Sequence, residues 1–467
     1  MMGFFEILNR TIWGLPTLVL ILGVGIFISV RTGFVQLRLF PKALRAFCGQ
    51  INRKAHGDGV SSYQALCTAL AATVGTGNLA GVAGAIAIGG PGAIFWMGVC
   101  AFLGMATKFA EAVLAIKYRE KNKDGEYVGG PMYMIKNGLK VKWYWLAGVY
   151  CFFGVVASFG VGNATQINTV ISGINSALMA VGFEPSGWLN VVLGIGLAIL
   201  ITAMLLGGAK RIGAAAERLV PFASIAYLLL GALVLILKAN AIPNAFREIF
   251  VGAFSPRSVT GGLLGSSFVA LRIGASRGVF TNEAGMGTAS IAHAAANVKH
   301  PVEQGMMGIM EVFIDTIVIC TMTALVILCS GIAIPYGTDT GVMLTTDALS
   351  AVVGKWVAVP IALSLCCFAL ATVLGWGLYG IRCAQYLFGE SAWRAFAILQ
   401  GVMVIIGAIM NTQTVWLLAE SVNGLMAMPN LIALALLTPE LCKVVKTYKS
   451  SPIVKDWTRK GFRIRLE

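Results

Sequence analysis

The sequence predicts an all-α polytopic membrane protein, with eleven transmembrane helices arranged as one extra N-terminal helix followed by two five-helix halves of opposite orientation. Three observations predict it. Hydrophobic residues make up 57% of the 467 residues and charged residues 12%, with a mean hydropathy of +0.81, so the apolar segments cannot all pack inside a soluble globule. Runs of roughly 20 apolar residues, the length a helix needs to cross the hydrocarbon core, recur along the chain. Two of these runs, the second and the seventh, are interrupted in their middles by glycines and polar residues.

The spans fall at about 12–30, 62–88, 92–117, 145–177, 188–207, 217–238, 260–297, 306–333, 356–386, 395–411 and 415–437. They divide the chain into residues 1–61 (the extra helix and a basic loop), 62–238 (the first five-helix repeat), 260–437 (the second) and 438–467 (a basic tail). A net charge of +15 would suit nucleic acid, but the basic residues lie between and after the apolar segments and form no domain of their own, so they read as orientation signals. With the N-terminus outside, the inner side receives Arg31, Arg38, Lys42, Arg45, Arg53 and Lys54, then the group from Lys117 to Lys142, then Lys210, Arg211 and Arg218. The tail adds eight more from Lys443 to Arg465, whereas the outer side receives only Arg10, Lys238, Arg247, Arg257 and Lys355. That asymmetry predicts N-out, C-in in a cell (inner or plasma) membrane. The ten cysteines have no paired spacing and read as small apolar residues.

Residues 66–98, LCTALAATVGTGNLAGVAGAIAIGGPGAIFWMG, organise the rest. Thr73, Thr76 and Asn78 with Gly75, Gly77 and Gly81 stand where a spanning helix is normally most apolar, so the helix opens around Val74–Asn78. Open backbone at membrane depth is tolerated only where it lines a buried cavity. One half-helix turns carbonyls toward the gap and the other free N–H groups, suiting a cation at one end and a carboxylate at the other. The same glycines would also serve a close helix–helix contact. The seventh segment, residues 261–296, is again glycine-rich and polar, and five spans of separation reverse its direction. A pair of inverted repeats, each opening with a broken helix, builds a midplane binding site in many secondary transporters.

Four ordered motifs carry a resemblance: TVGTGNLAGVAGAIAIGGPGAIFWM, GGPMYMI (129–135), RGVFTNEAGMGTASIAHAAA (277–296) and VFIDTIVICTMTALVIL (312–328). They closely resemble the alanine or glycine:cation (sodium:alanine) symporters of the amino acid-polyamine-cation superfamily. The resemblance implies a leucine-transporter-type 5+5 inverted repeat and sodium-coupled import of small neutral amino acids. Its partners would be the amino acid, Na⁺ and membrane lipid, without nucleic acid, in a monomer. No cofactor is implied beyond Na⁺ as the co-transported ion. Carried across, the amides of Thr76 and Gly77, with Asn78 beside them, take the substrate carboxylate, and the carbonyls of Ala71 and Val74 coordinate Na⁺. Thr372 in span nine supplies a hydroxyl, the hard oxygen ligand such an ion prefers. The family's usual second hydroxyl is here Ala371, and its acidic residue after the Tyr-Gly pair is Ile381. Gln166, three residues after Asn163 and so on the same helix face, takes the substrate amino group with carbonyls around Ile273 and Gly274. Trp376 caps the pocket or simply packs.

Ionisable residues at membrane depth are costly. Lys108 and Glu111, three apart, are expected to pair with each other, and Arg272, Arg277 and Glu283 to bracket the second break. Asp315 suits a cation site or a conformational hydrogen bond equally, and His293 receives no role. No nucleophile and base share a depth, so no enzyme is predicted, and no nucleotide-binding loop is present.

Overall fold

The computed structural model describes residues 14–50, 60–123, 125–180, 182–255, 267–338, 341–410 and 412–450. Arg10, Arg53, Lys54, Arg257, the start of the seventh segment and the tail beyond residue 450 lie outside them. Two longer helices, α1 (Leu15–Arg31) and α2 (Phe40–Gln50), with the four-residue helix Val35–Arg38 between them, precede the first expected repeat. That repeat comprises α3 (Ser62–Thr73), a π turn (Gly77–Gly81) with α4 (Val82–Gly89), α5 (Gly92–Tyr118), α6 (Pro131–Gly138), α7 (Trp145–Phe159), α8 (Thr165–Ala180), α9 (Gly187–Leu205) and α10 (Gly208–Leu237). After α11 (Ile242–Phe254) come α12 (Ser267–Asn282), α13 (Thr288–Ala294), α14 (Pro301–Val312), α15 (Thr321–Ser330) and α16 (Val342–Val353). The chain closes with α17 (Ala358–Phe388), α18 (Ala392–Ile409) and α19 (Thr412–Ser450). The sequence reading is mostly helical throughout; the structure adds a two-stranded ribbon, Glu120–Lys121 with Tyr127–Val128.

Among the described residues eight helices are long and apolar enough to span a membrane, and the bent pair α3–α4 makes a ninth. The expected count of eleven is thus not confirmed among the described residues. At the first expected span α1 has 17 residues, and at the seventh only the part from Ser267 onward is described, itself split into α12 and α13. Outside the bundle core α9 carries a stripe of exposed Val192, Ile195 and Ile199, the spacing of one helix face turned to lipid.

Both broken helices owe their shape to local chemistry. Ser61 starts α3 with a capping box: its hydroxyl accepts from Gln64 N (3.0 Å) and the Gln64 side chain accepts from Ser61 N (3.1 Å). Val74 ends α3 with extended backbone (φ −75°, ψ 108°), and the two halves meet at 51°. The second break runs from Glu283 to Gly287, where φ is +53° at Glu283, +93° at Gly285 and +79° at Gly287. Left-handed backbone suits the two glycines; at Glu283 it costs on the order of 1–2 kcal/mol.

This corrects the position of the second break. Ile273 and Gly274 lie inside the continuous helix α12. Gly274 is small for another reason: a Cβ there would collide with the Ala93 carbonyl oxygen of α5. The glycine signal at 274 marks close helix packing, and the backbone opens further on.

Connecting helices brace the breaks in both of the expected halves. In the first, α6 follows the span α5 and packs against α13; a Cβ on Gly287 would meet the Pro131 ring at its start. In the second, α16 follows the α14–α15 span and packs against the π turn and α4; Thr345 donates to Leu79 O at 3.2 Å. Each connecting helix thus braces the broken segment of the other expected half.

Candidate binding site at the two breaks

The site begins at the gap between Val74 and Gly77. Thr372, buried in the middle of α17, places its Oγ1 2.9 Å from the Ala71 carbonyl oxygen across the gap and 3.0 Å from Phe368 O in its own helix. The hydroxyl therefore both bonds back to its own helix and reaches the broken span. Gly75 is a close approach: a Cβ there would stand 2.9 Å from that hydroxyl. Val74, fully buried, closes the ladder by donating its N–H to Leu70 O (2.7 Å) and then turns extended. Two oxygens, the Ala71 carbonyl and the Thr372 hydroxyl, thus meet at this corner of the gap.

On the other side of the break, Thr76 and Gly77 begin the new helical segment, where first-turn amides have no acceptor in their own helix. Asn78 spends its side chain on holding this turn in place. Its Oδ1 accepts from Gly75 N (2.7 Å), while its Nδ2 donates to Asp315 Oδ1 (2.7 Å) and to Asp315 O (3.1 Å). Asp315, on the π turn Phe313–Cys320, also accepts from Thr316 Oγ1 at 2.8 Å. The conformational role open to Asp315 in the sequence is the one the contacts display.

Gln166 lies beside the gap, accepting from Thr76 Oγ1 (3.1 Å) and donating to Val161 O (3.1 Å). Asn163 does not share its face. It donates to the Gln400 side chain and to Gln400 O on α18. The reason is a π turn at Gly160–Ala164, whose wider winding breaks the i, i+3 register assumed from an α-helix. A Cβ on Gly162 in that turn would collide with Trp376.

Trp376 is buried, and its Nε1 donates to Glu283 Oε1 at 3.0 Å, linking α17 to the second break. Glu283 Oε2 accepts from Thr288 at the start of α13. From α12, Phe280 and Thr281 face Gly77, within 3.4–3.7 Å of where its Cβ would be. These two residues are the contribution of the seventh segment to the gap that sequence reasoning missed, one turn before the real break.

Lys108 and Glu111 do not pair with each other. Lys108 Nζ lies 2.9 Å from Glu311 Oε1 on α14, and Glu311 Oε2 is 2.9 Å from His293 Nε2 on α13. Gln304 bonds to His293 Nδ1 (2.7 Å) and accepts from Ser62 Oγ (2.5 Å) at the start of α3. A buried polar chain therefore runs through α5, α14, α13 and α3, and His293 is at its centre. Glu111 instead accepts the amides of Gly285 (3.0 Å) and Gly287 (3.1 Å) and the Asn430 side chain (2.8 Å).

This arrangement has counterparts among known proteins. The crystal structure of MhsT in complex with L-phenylalanine superposes on 84% of this chain and 99% of its own with a TM-score of 0.58 at 16% identity, which identifies a leucine-transporter-type fold. The sodium/alanine symporter AgcS of Methanococcus maripaludis is 44% identical over 94% of this chain and 95% of its own. The probable sodium/glutamine symporter GlnT of Bacillus subtilis is 36% identical over 97% of this chain and 90% of its own. The sequence model of the sodium:alanine symporter family matches residues 1–459. This chain, a multi-pass membrane protein with two broken helices, belongs to the sodium:alanine symporter family, a family of transporters and not of enzymes.

Proposed function

We propose that the protein imports a small neutral amino acid, alanine or glycine, together with Na⁺ by alternating access, acting as a monomer with its N-terminus outside and its C-terminus in the cytoplasm. The observation that carries the reading is the Thr372 hydroxyl standing against the Ala71 carbonyl across the break of the first repeat. Thr372, Ala71 and Val74 supply the oxygen ligands of Na⁺. The amides of Thr76 and Gly77 receive the substrate carboxylate at the positive end of the half-helix. Gln166 Oε1, now accepting from Thr76, turns to the substrate ammonium. Asn78 and Trp376 hold the walls through Asp315 and Glu283.

Energy supports one coupled ion. Moving Na⁺ inward down about 100 mV yields roughly 2.3 kcal/mol, and a tenfold concentration ratio adds about 1.4 kcal/mol. Together they support accumulation of a neutral substrate by several hundredfold.

The space beside Gly77 is closed by Phe280 and Thr281, which favours a small side chain. Competition against labelled alanine uptake in proteoliposomes tests this. Unlabelled glycine is expected to compete at concentrations similar to alanine, and glutamine to need at least about tenfold more, the selectivity a few lost apolar contacts or one overcrowded wall provides. Glutamine competing better than alanine would assign the site to the larger substrate.

A further inference from the structure

We propose a second Na⁺ site on the side of the second break away from Thr372, formed by the Oε2 of Glu111, the hydroxyls of Tyr150 and Tyr379 and the Oδ1 of Asn430. The proposal rests on the cation-coupled reading above and adds an ion to it. Among the described residues these four atoms are buried and have no hydrogen-bond partner. Buried polar atoms are almost always satisfied, and each orphan costs on the order of 1–3 kcal/mol. Two of them, Glu111 Oε2 and Asn430 Oδ1, belong to side chains bonded to each other, which points to a ligand.

Geometry gathers them. Asn430 Nδ2 is bonded to Glu111 Oε1 (2.8 Å) and to Gly285 O (2.9 Å), which holds its Oδ1 beside the same carboxylate. Tyr150 stands on α7, which packs against α17, the helix of Tyr379, and against α19, the helix of Asn430. Tyr379 packs edge-on to Trp376, whose indole holds Glu283. The helices α5, α7, α17 and α19 and the loop Glu283–Gly287 thus converge here.

Charge says which ligand. Glu111, Glu283, Glu311 and Asp315 are all at most 2% exposed, and the cations buried among them are Lys108, committed to Glu311, and His293 when protonated. Glu283 and Asp315 accept bonds on both of their oxygens from Trp376, Thr288, Asn78 and Thr316, and Glu311 is bridged by Lys108 and His293. Glu111 alone satisfies one oxygen with three N–H donors and leaves the other bare. An uncompensated carboxylate at this depth is costly. A carboxylate, an amide oxygen and two hydroxyls are hard ligands for a small cation. Because Glu111 also holds the amides of Gly285 and Gly287, an ion here would set the conformation of the second break.

Binding of radiolabelled Na⁺ to the purified full-length protein, without amino acid, tests the site independently of transport. The wild type is expected to bind a second ion beyond the one removed by Thr372→Ala. Glu111→Gln keeps the oxygen that accepts from Gly285, Gly287 and Asn430 and should lose that second ion only. Tyr379→Phe and Tyr150→Phe, which keep the rings in place, should each weaken it several-fold, and they carry the test if Glu111→Gln does not fold. A single bound ion, lost in Thr372→Ala and unchanged in Glu111→Gln and both tyrosine variants, overturns the second site while leaving sodium symport standing. No Na⁺ binding at all overturns both.

Discussion

Thr372→Ala is expected to abolish Na⁺-driven accumulation of alanine and to raise the Na⁺ concentration needed for half-maximal uptake by at least about tenfold, since contacts to charged groups contribute roughly 1.5–3 kcal/mol each. The side chain is buried on α17, and its hydroxyl touches the Ala71 carbonyl at 2.9 Å. Removing it takes away the side-chain oxygen of that corner and leaves only backbone carbonyls. Ala371 offers no replacement hydroxyl. Thr372→Ser keeps the oxygen and should retain most activity, which separates loss of a ligand from loss of packing. Uptake as a function of Na⁺ concentration is the measurement; equal Na⁺ dependence in the alanine and serine variants would remove Thr372 from the cation site.

Lys108→Met is expected to destabilise the protein by about 3–5 kcal/mol, the cost of leaving a buried charge without its partner. Lys108 and Glu311 are both fully buried and 2.9 Å apart, so the mutation leaves Glu311 facing His293 alone. The effect should spread, because His293 continues through Gln304 to Ser62 at the start of the first broken helix. Lys108→Met combined with Glu311→Gln should recover a large part of the loss, since no unpaired charge then remains. Thermal unfolding of the three variants in detergent measures this. A double variant as unstable as the single one would show that packing of the Lys108 stem, and not the charge pair, is what the site needs.

The sequence made the first break legible because Gly75, Thr76, Gly77 and Asn78 interrupt the middle of an otherwise apolar run, where the structure shows the helix open. Span parity predicts opposed halves; the structure shows α6 packed against α13 and α16 against α4. The second break was misplaced because Gly274 and the true turn look alike as letters. Gly274 is small to let the Ala93 carbonyl approach, whereas Gly285 and Gly287 are small because φ is positive there. Glu283-Ala284-Gly285-Met286-Gly287 held the signal, two glycines one residue apart after a carboxylate. The partners of Lys108 and Asn163 could not be read at all. Each has a polar neighbour three residues along its own helix, yet each bonds across the bundle, to Glu311 and Gln400, through contacts set by tertiary packing.

Uptake of labelled alanine into proteoliposomes under an inward Na⁺ gradient tests the central claim most directly. The account predicts transient accumulation above equilibrium that disappears when K⁺ replaces Na⁺. Equilibration at the same rate and to the same level with either ion would contradict it.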